Sequence, residues 1–85
     1  MPDRWLTVDQ RRIIDALHIE GPMTAWSLHR YLYRRLDWCP PIPPTRARLR
    51  RLRRRSLVSW TRVAGYPVWH ITAAGRKALG GKRDA

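Results

Sequence analysis

The stretch PTRARLRRLRRRSLVSWTRVAGYPVWHI, residues 44–71, decides the fold, because the spacing of its apolar residues changes part-way along it. From Thr45 to Ser56 every position except Ala47 is arginine or belongs to a row at helical spacing, namely Thr45, Leu49, Leu52 and Ser56. After Leu57, β-prone residues alternate in two short runs around a turn at Gly65. The stretch therefore predicts a helix over about 44–55, followed by a β-hairpin.

Two more helices are predicted before this stretch. The first spans residues 7–20, where Thr7 and Gln10 form a capping box and an apolar stripe recurs at Gln10, Ile13, Ile14 and Leu17. The second begins at Thr24 and runs to about residue 36, with an inner row of Ala25, Leu28, Leu32 and Leu36. The next eight residues contain four prolines and predict a stiff connector, because proline disfavours helix in the residue before it.

A short final helix is predicted after the hairpin, from Ala73 to Leu79 with Thr72 as its N-cap. Gly80-Gly81 is expected to end it, leaving a basic flexible tail over residues 80–85. Three residues are expected to serve packing: Trp60, Trp69 and Gly75. The pattern predicts one α+β domain over residues 1–79, a three-helix bundle with a C-terminal β-hairpin and a short last helix.

The charge of the chain is strongly unbalanced. Eighteen lysine and arginine residues face six acidic residues, so the formal net charge is +12. Such an excess causes self-repulsion in the folded state unless a polyanion neutralises it. Sixteen of the eighteen cations are arginine, whose forked guanidinium matches phosphates and the guanine edge. The composition therefore predicts a nucleic-acid partner.

Several other classes of protein are disfavoured by what the sequence lacks. Cys39 is the single cysteine, and the three histidines His18, His29 and His70 have no metal-ligand spacing, so neither a disulfide nor a metal site is expected. No arrangement of nucleophile, base and orienting group is recognisable, and we expect no enzyme activity, cofactor or small-molecule substrate. No apolar run approaches a membrane span of about 20 residues and no signal peptide opens the chain, so a cytoplasmic, nucleoid-associated protein is expected.

The arginine helix is the candidate binding surface. Solvated helix faces usually alternate acidic and basic residues, whereas no acidic residue lies between Arg46 and Arg55. Since an α-helix fits the major groove, outward residues are expected to contact bases: Arg46, Ala47, Arg50, Arg51 and Arg54. The DNA backbone is expected to be contacted by Thr24, Thr45, Arg48, Arg53 and Arg55, and by Arg62 and Tyr66 of the hairpin.

The order of these elements and three motifs resemble the winged helix-turn-helix DNA-binding proteins of bacteria and their phages. The motifs are Leu6-Thr7 with Ile13-Ile14 and Leu17, then Leu49-Arg50-Arg51-Leu52 with Ser56-Leu57-Val58, and the ending Ile71-Thr72-Ala73-Ala74-Gly75-Arg76-Lys77-Ala78-Leu79. Ser56 stands where the family usually has glycine, and the turn before the third helix is longer and richer in proline. The resemblance implies sequence-specific binding of double-stranded DNA by a transcription regulator.

Other readings stay open at this stage. A phage excision factor, which is an architectural DNA-binding protein, has the same chemistry as a regulator. Arginine-rich helices also bind RNA, usually as short segments that fold on binding, whereas Leu49 and Leu52 build this helix into a domain. A third reading is a protein-interaction domain without DNA contact. Trp26 and Tyr33 are predicted on the outer face of the second helix, where they would support self-association as a homodimer.

Overall fold

The computed structural model describes residues 6–83. Its elements follow the predicted order of three helices, a hairpin and a final helix, with one short additional strand. They are α1 (Val8–Glu20), β1 (Met23–Thr24), α2 (Ala25–Leu32), α3 (Pro43–Arg54), β2 (Val58–Val63), β3 (Tyr66–Ile71) and α4 (Ala73–Arg83). The α+β architecture is confirmed. Strand β1 was not predicted, because two residues are too few to show an alternating pattern.

The three strands form one antiparallel sheet in the order β1-β3-β2. Met23 of β1 pairs with Trp69 of β3, and Trp69 pairs on its other side with Trp60 of β2. The β2–β3 hairpin turns through Ala64 and Gly65, both at positive φ (53° and 86°). Positive φ at both central residues is the geometry of the two-residue hairpin turn that follows the natural twist of the strands. The predicted turn at Gly65 is therefore confirmed.

The core lies where α1 meets the other helices and the inner face of the sheet. The predicted helical rows supply half of it, and the buried apolar residues are Ile13, Ile14, Ala16, Leu17, Leu28, Leu49, Leu52, Leu57, Val58, Trp69, Ile71 and Leu79. Trp69 is 8% exposed, as expected for a core residue, while Trp60 is half-buried against the same cluster. The N-terminal capping box of α1 is also confirmed, since the Thr7 and Gln10 side chains each bond the other residue's backbone N–H.

The second helix is shorter than predicted. It ends at Leu32 instead of continuing to residue 36, and Leu36 is 49% exposed. Two arginine side chains take up carbonyl groups at this end: Arg34 donates to the Tyr31 carbonyl at 2.7 Å, and Arg12 of α1 donates to the Leu32 carbonyl at 3.3 Å. Because these carbonyls have partners outside the helix, the helix can stop before the proline-rich connector.

The other two boundaries differ in smaller ways. Helix α3 begins at Pro43 and ends at Arg54, and Ser56 leaves the inner row because its φ of 62° puts it in the left-handed region. That conformation explains why a glycine usually stands at this position in the resembling family. Helix α4 continues to Arg83, so the expected stop at Gly80-Gly81 is wrong. Of the expected flexible tail over 80–85, residues 84 and 85 lie outside the described residues.

Gly75 packs α4 against the strand that leaves α3. A Cβ atom at this glycine would overlap the Leu57 carbonyl oxygen and would lie 2.7 Å from the Ile71 side chain. Thr72 fixes the same junction, since its hydroxyl donates to the Ser56 carbonyl at 2.7 Å and accepts the Gly75 N–H at 3.1 Å. The expected close packing at Gly75 is confirmed, and it ties the end of the hairpin to the end of α3.

Candidate nucleic-acid interface

The outer face of α3 is a surface of arginine side chains. Its inner face is formed by Thr45, Leu49 and Leu52, which are at most 1% exposed. The opposite side carries four exposed arginines: Arg46, Arg50, Arg51 and Arg54. Among the residues that the structure describes, none gives these four side chains a hydrogen bond, ion pair or ring contact. We call these four residues the outer arginines; their guanidinium groups are available to an external partner.

The arginines on the flanks of α3 differ because each has a contact within the protein. Arg48 forms an ion pair with Asp9 of α1 at 3.2 Å, and Arg55 donates to the Gln10 side chain at 3.2 Å. Arg53 lies over the Trp60 ring, with its guanidinium carbon 5.4 Å from the ring centroid. These contacts separate the flanking arginines from the outer arginines. Ala47 is half-buried beside them.

A buried histidine holds the N-terminal end of α3 in place. His29 of α2 is 1% exposed; its Nε2 lies 2.6 Å from the Pro40 carbonyl oxygen and its Nδ1 lies 2.7 Å from the Thr45 hydroxyl. A carbonyl only accepts, so Nε2 is the donor to Pro40, and in the neutral ring Nδ1 accepts the Thr45 hydroxyl proton. One side chain thus connects α2, the proline-rich connector and α3.

This contact corrects the expectation that Thr45 touches the DNA backbone. Thr45 is 1% exposed and its hydroxyl is directed to His29, so it is not available to a phosphate. The role of His29 itself was missed in the sequence. A signal existed, because His29 follows Ala25 by four residues and therefore falls on the inner face of α2. What the spacing does not reveal is that two polar partners meet the ring there.

Trp26 and Tyr33 lie on either side of this histidine. The Trp26 ring stacks on His29 with centroids 6.0 Å apart, and the Tyr33 ring meets it edge-on at 5.0 Å. Trp26 remains 50% exposed, whereas Tyr33 is half-buried. The two residues therefore do not form the open aromatic face predicted for the second helix. They shield the His29 ring, and of these two residues Trp26 presents the larger aromatic surface to solvent.

The hairpin and the start of α2 contribute the remaining predicted contacts. Tyr66 at the hairpin tip is 67% exposed, and Arg62 is exposed with its guanidinium carbon 5.9 Å from the Trp60 ring centroid. Thr24 caps α2, where its hydroxyl oxygen accepts the Ser27 N–H at 3.1 Å. Among the described residues no acceptor takes the hydroxyl proton of Thr24, so the hydroxyl can donate to an external partner.

The described part of the chain, residues 6–83, carries no candidate metal site. It contains no group of three or more His, Cys, Asp or Glu side chains that could hold a metal ion. None of the helices in residues 6–83 has the length and apolar character needed to cross a bilayer.

No family model matches the chain, and no curated protein matches it by sequence. Solved structures do match. BpsR of Bordetella bronchiseptica, whose DNA binding is regulated by 6-hydroxynicotinic acid, gives a TM-score of 0.79 at 18% identity over 99% of this chain and 61% of that protein. A winged-helix DNA-binding protein from STIV gives 0.77 at 15% identity, over 94% of this chain and 88% of that one. The chain has a winged-helix fold.

In this winged helix the β2–β3 hairpin is the wing, and α3 is the helix that precedes it. A MarR family transcription regulator shares the fold at a TM-score of 0.78 and 20% identity, over 95% of this chain and 52% of that regulator. The chain thus spans about three fifths of the length of BpsR and about half of the MarR family regulator. The expected fold class is confirmed, and at these identities the likeness concerns the fold.

Proposed function

We propose that this winged helix binds double-stranded DNA in a sequence-specific manner, with α3 as a recognition helix in the major groove. The observation that carries the proposal is the set of outer arginines, four cations on one helix face without a partner among the described residues. Placing like charges side by side is unfavourable for an isolated domain and becomes favourable when phosphates and guanine edges face them. The net charge of +12 supports the same conclusion.

The contacts of α3 suggest a division of labour. The outer arginines and Ala47 are proposed to face the bases, where a guanidinium can bond guanine O6 and N7 together and a small alanine can meet a thymine methyl. Arg53, Arg62, Tyr66 and the Thr24 hydroxyl are proposed to contact the DNA backbone. Arg48 and Arg55 are proposed for the same role, although Asp9 and Gln10 already engage them, so their contribution should be smaller.

The test begins with selection of bound duplexes from a random pool, because the target is unknown. Arg50→Ala and Arg53→Ala are then titrated against the selected duplex and a scrambled one. Loss of a base contact costs about 1–3 kcal/mol, so Arg50→Ala should bind the selected duplex about 5–150-fold more weakly and lose preference at one base pair. Arg53→Ala should weaken both duplexes alike. Equal weakening of the two duplexes by Arg50→Ala would contradict the base-contact assignment.

The salt dependence of binding tests the same surface independently. Each neutralised phosphate adds about −0.9 to the slope of log affinity against log salt, and about six contacts would give a slope near −5. A slope shallower than about −2 would mean that α3 is not the binding surface. A structured RNA of equal length serves as competitor. If the protein binds this RNA more tightly than duplex DNA, RNA is the partner and the proposal of DNA binding is wrong.

A role in transcription regulation fits this proposal. It is supported by the winged-helix structures that resemble the chain, which include a MarR family transcription regulator and a protein whose DNA binding is regulated. We therefore propose a DNA-binding regulator of a bacterium or phage that is associated with the nucleoid, without enzyme activity of its own. An excision factor would bend its DNA, so a bending assay on the selected duplex separates the two roles.

Self-association is proposed through Trp26 alone, since Tyr33 is packed against His29. Trp26 is 50% exposed, and a half-exposed indole on a small domain is available for a contact between two copies. Sedimentation should show that Trp26→Ala shifts the protein towards monomer while its circular dichroism spectrum stays the same. The proposal fails if the unmodified protein is monomeric at tens of micromolar both free and on the selected duplex.

A further inference from the structure

One indole ring lies next to two arginines that come from different elements of the winged helix. The guanidinium carbon of Arg53, near the end of α3, is 5.4 Å from the Trp60 ring centroid. That of Arg62, on the wing, is 5.9 Å from the same centroid. Both distances lie within the range of about 6 Å over which a cation is attracted to an aromatic ring. The two charges therefore lie within about 11 Å of one another at most.

The position of this ring is set by the core. Trp60 pairs across the hairpin with Trp69, which is 8% exposed, and the Trp60 side chain packs against the buried cluster. Arg62 follows Trp60 by two residues on β2, so the two side chains project from the same face of the strand. Trp60 is thus a fixed support, whereas Arg53 and Arg62 are exposed side chains that would otherwise have many rotamers.

Electrostatics indicates what the pair of cations would bind. Two guanidinium groups near one ring repel each other, and among the described residues no carboxylate forms an ion pair with Arg53 or Arg62. A phosphodiester backbone relieves that repulsion and accepts hydrogen bonds from both groups. Holding a flexible arginine in place before binding also reduces the side-chain entropy that the complex loses, which is the general advantage of preorganisation.

We propose that Trp60 is a positioning residue that holds Arg53 and Arg62 as one phosphate clamp, so that α3 and the wing grip the same DNA backbone. This inference rests on the proposed DNA-binding function and adds a specific coupling to it. Arg53 and Arg62 then act as a unit, and the unit depends on the aromatic ring rather than on the apolar bulk of Trp60. Neither residue type nor spacing in the sequence indicates this connection between helix and wing.

The experiment is a double-mutant cycle for DNA binding, made in two backgrounds. Arg53→Gln, Arg62→Gln and their combination are titrated on the selected duplex at several salt concentrations, first with Trp60→Phe, which keeps a ring, and then with Trp60→Leu, which does not. In the Trp60→Phe background, the variant with both Arg53→Gln and Arg62→Gln should bind at least about twofold more tightly than the product of the two single effects predicts, because either substitution alone already disrupts the clamp. Without the ring, the effects should multiply. Trp60→Leu alone should also make the slope of log affinity against log salt shallower than Trp60→Phe does, by up to the contribution of about two phosphate contacts.

Arg76→Gln is the matched control, because Arg76 is an exposed cation on α4 and is not one of the two arginines that lie over the Trp60 ring. Its combination with Arg53→Gln should be multiplicative in every background. If Trp60→Leu does not fold, the cycle is read in the unmodified protein, where the same coupling is expected. Multiplicative effects of Arg53 and Arg62 with the ring present would overturn the clamp while leaving DNA binding intact. Absence of duplex binding by the unmodified protein would instead overturn the proposed function.

Discussion

His29→Leu is expected to destabilise the domain strongly, because it leaves two polar partners without a hydrogen bond. Leucine fills a comparable volume but cannot form a hydrogen bond with the Thr45 hydroxyl or the Pro40 carbonyl. A buried polar group that loses its partner costs about 1–3 kcal/mol. Thr45 is fully buried and Pro40 only half-buried, so water can reach the carbonyl more easily and its cost falls at the lower end. The two terms together give about 2–4 kcal/mol.

A loss of this size is a large fraction of the 5–15 kcal/mol that stabilises a typical domain. For a chain of this length about 1 kcal/mol corresponds to about 4–8 °C in Tm, so the melting temperature should fall by at least about 8 °C. Thermal unfolding followed by circular dichroism measures the change. His18→Leu is the matched control, since His18 is exposed on α1, and its Tm should change by no more than a few degrees.

Thr45→Val tests the physical cause. It removes the hydroxyl that His29→Leu leaves without a partner. The free energy of unfolding of the double variant should therefore be about 1 kcal/mol higher than the value expected if the two single losses added. If the two losses simply add, or if His29→Leu unfolds at no lower temperature than His18→Leu, the hydrogen bonds of His29 do not hold α3 in place. In the variants that stay folded, weaker preference for the selected duplex over a scrambled one is expected, because the helix start is no longer fixed.

Three further predictions concern the packing and charge around α3. Gly75→Ala should lower the free energy of unfolding by about 2 kcal/mol or more, because its methyl group would overlap the Leu57 carbonyl. Ala74→Ser, on the exposed side of the same helix, should change it by less than about 0.5 kcal/mol, and equal effects of the two substitutions in chemical denaturation would contradict this. Ser56→Gly should raise the stability by about 0.5–1 kcal/mol, because glycine adopts the φ of 62° without strain, and an unchanged or lower denaturation midpoint would be the contrary result. Arg48→Gln should reduce the salt slope of DNA binding less than Arg53→Gln does, because Asp9 already shares the charge of Arg48; an equal or larger reduction by Arg48→Gln would contradict this.

The fold was largely predictable because local patterns agree with the tertiary structure. The row Thr45, Leu49 and Leu52 became the buried face of α3, and the outward positions became the outer arginines. The turn at Gly65 and the capping box of α1 depend only on a few adjacent residues, so they could also be predicted. The length of α2 could not, because its end depends on Arg12, which is twenty residues away along the chain.

The sequence by itself determined the order of the elements, the face that α3 buries and the excess of positive charge on the opposite face. Each of these follows from residue type and spacing along one segment, since helical and strand periods are local properties. Only the tertiary structure decided which polar groups meet. It brought the His29 ring between Pro40 and Thr45, and placed Trp60 beside Arg53. These contacts join different elements of the fold, and their geometry depends on how the elements pack around a shared core. The spacing of residue types along the chain does not predict that packing.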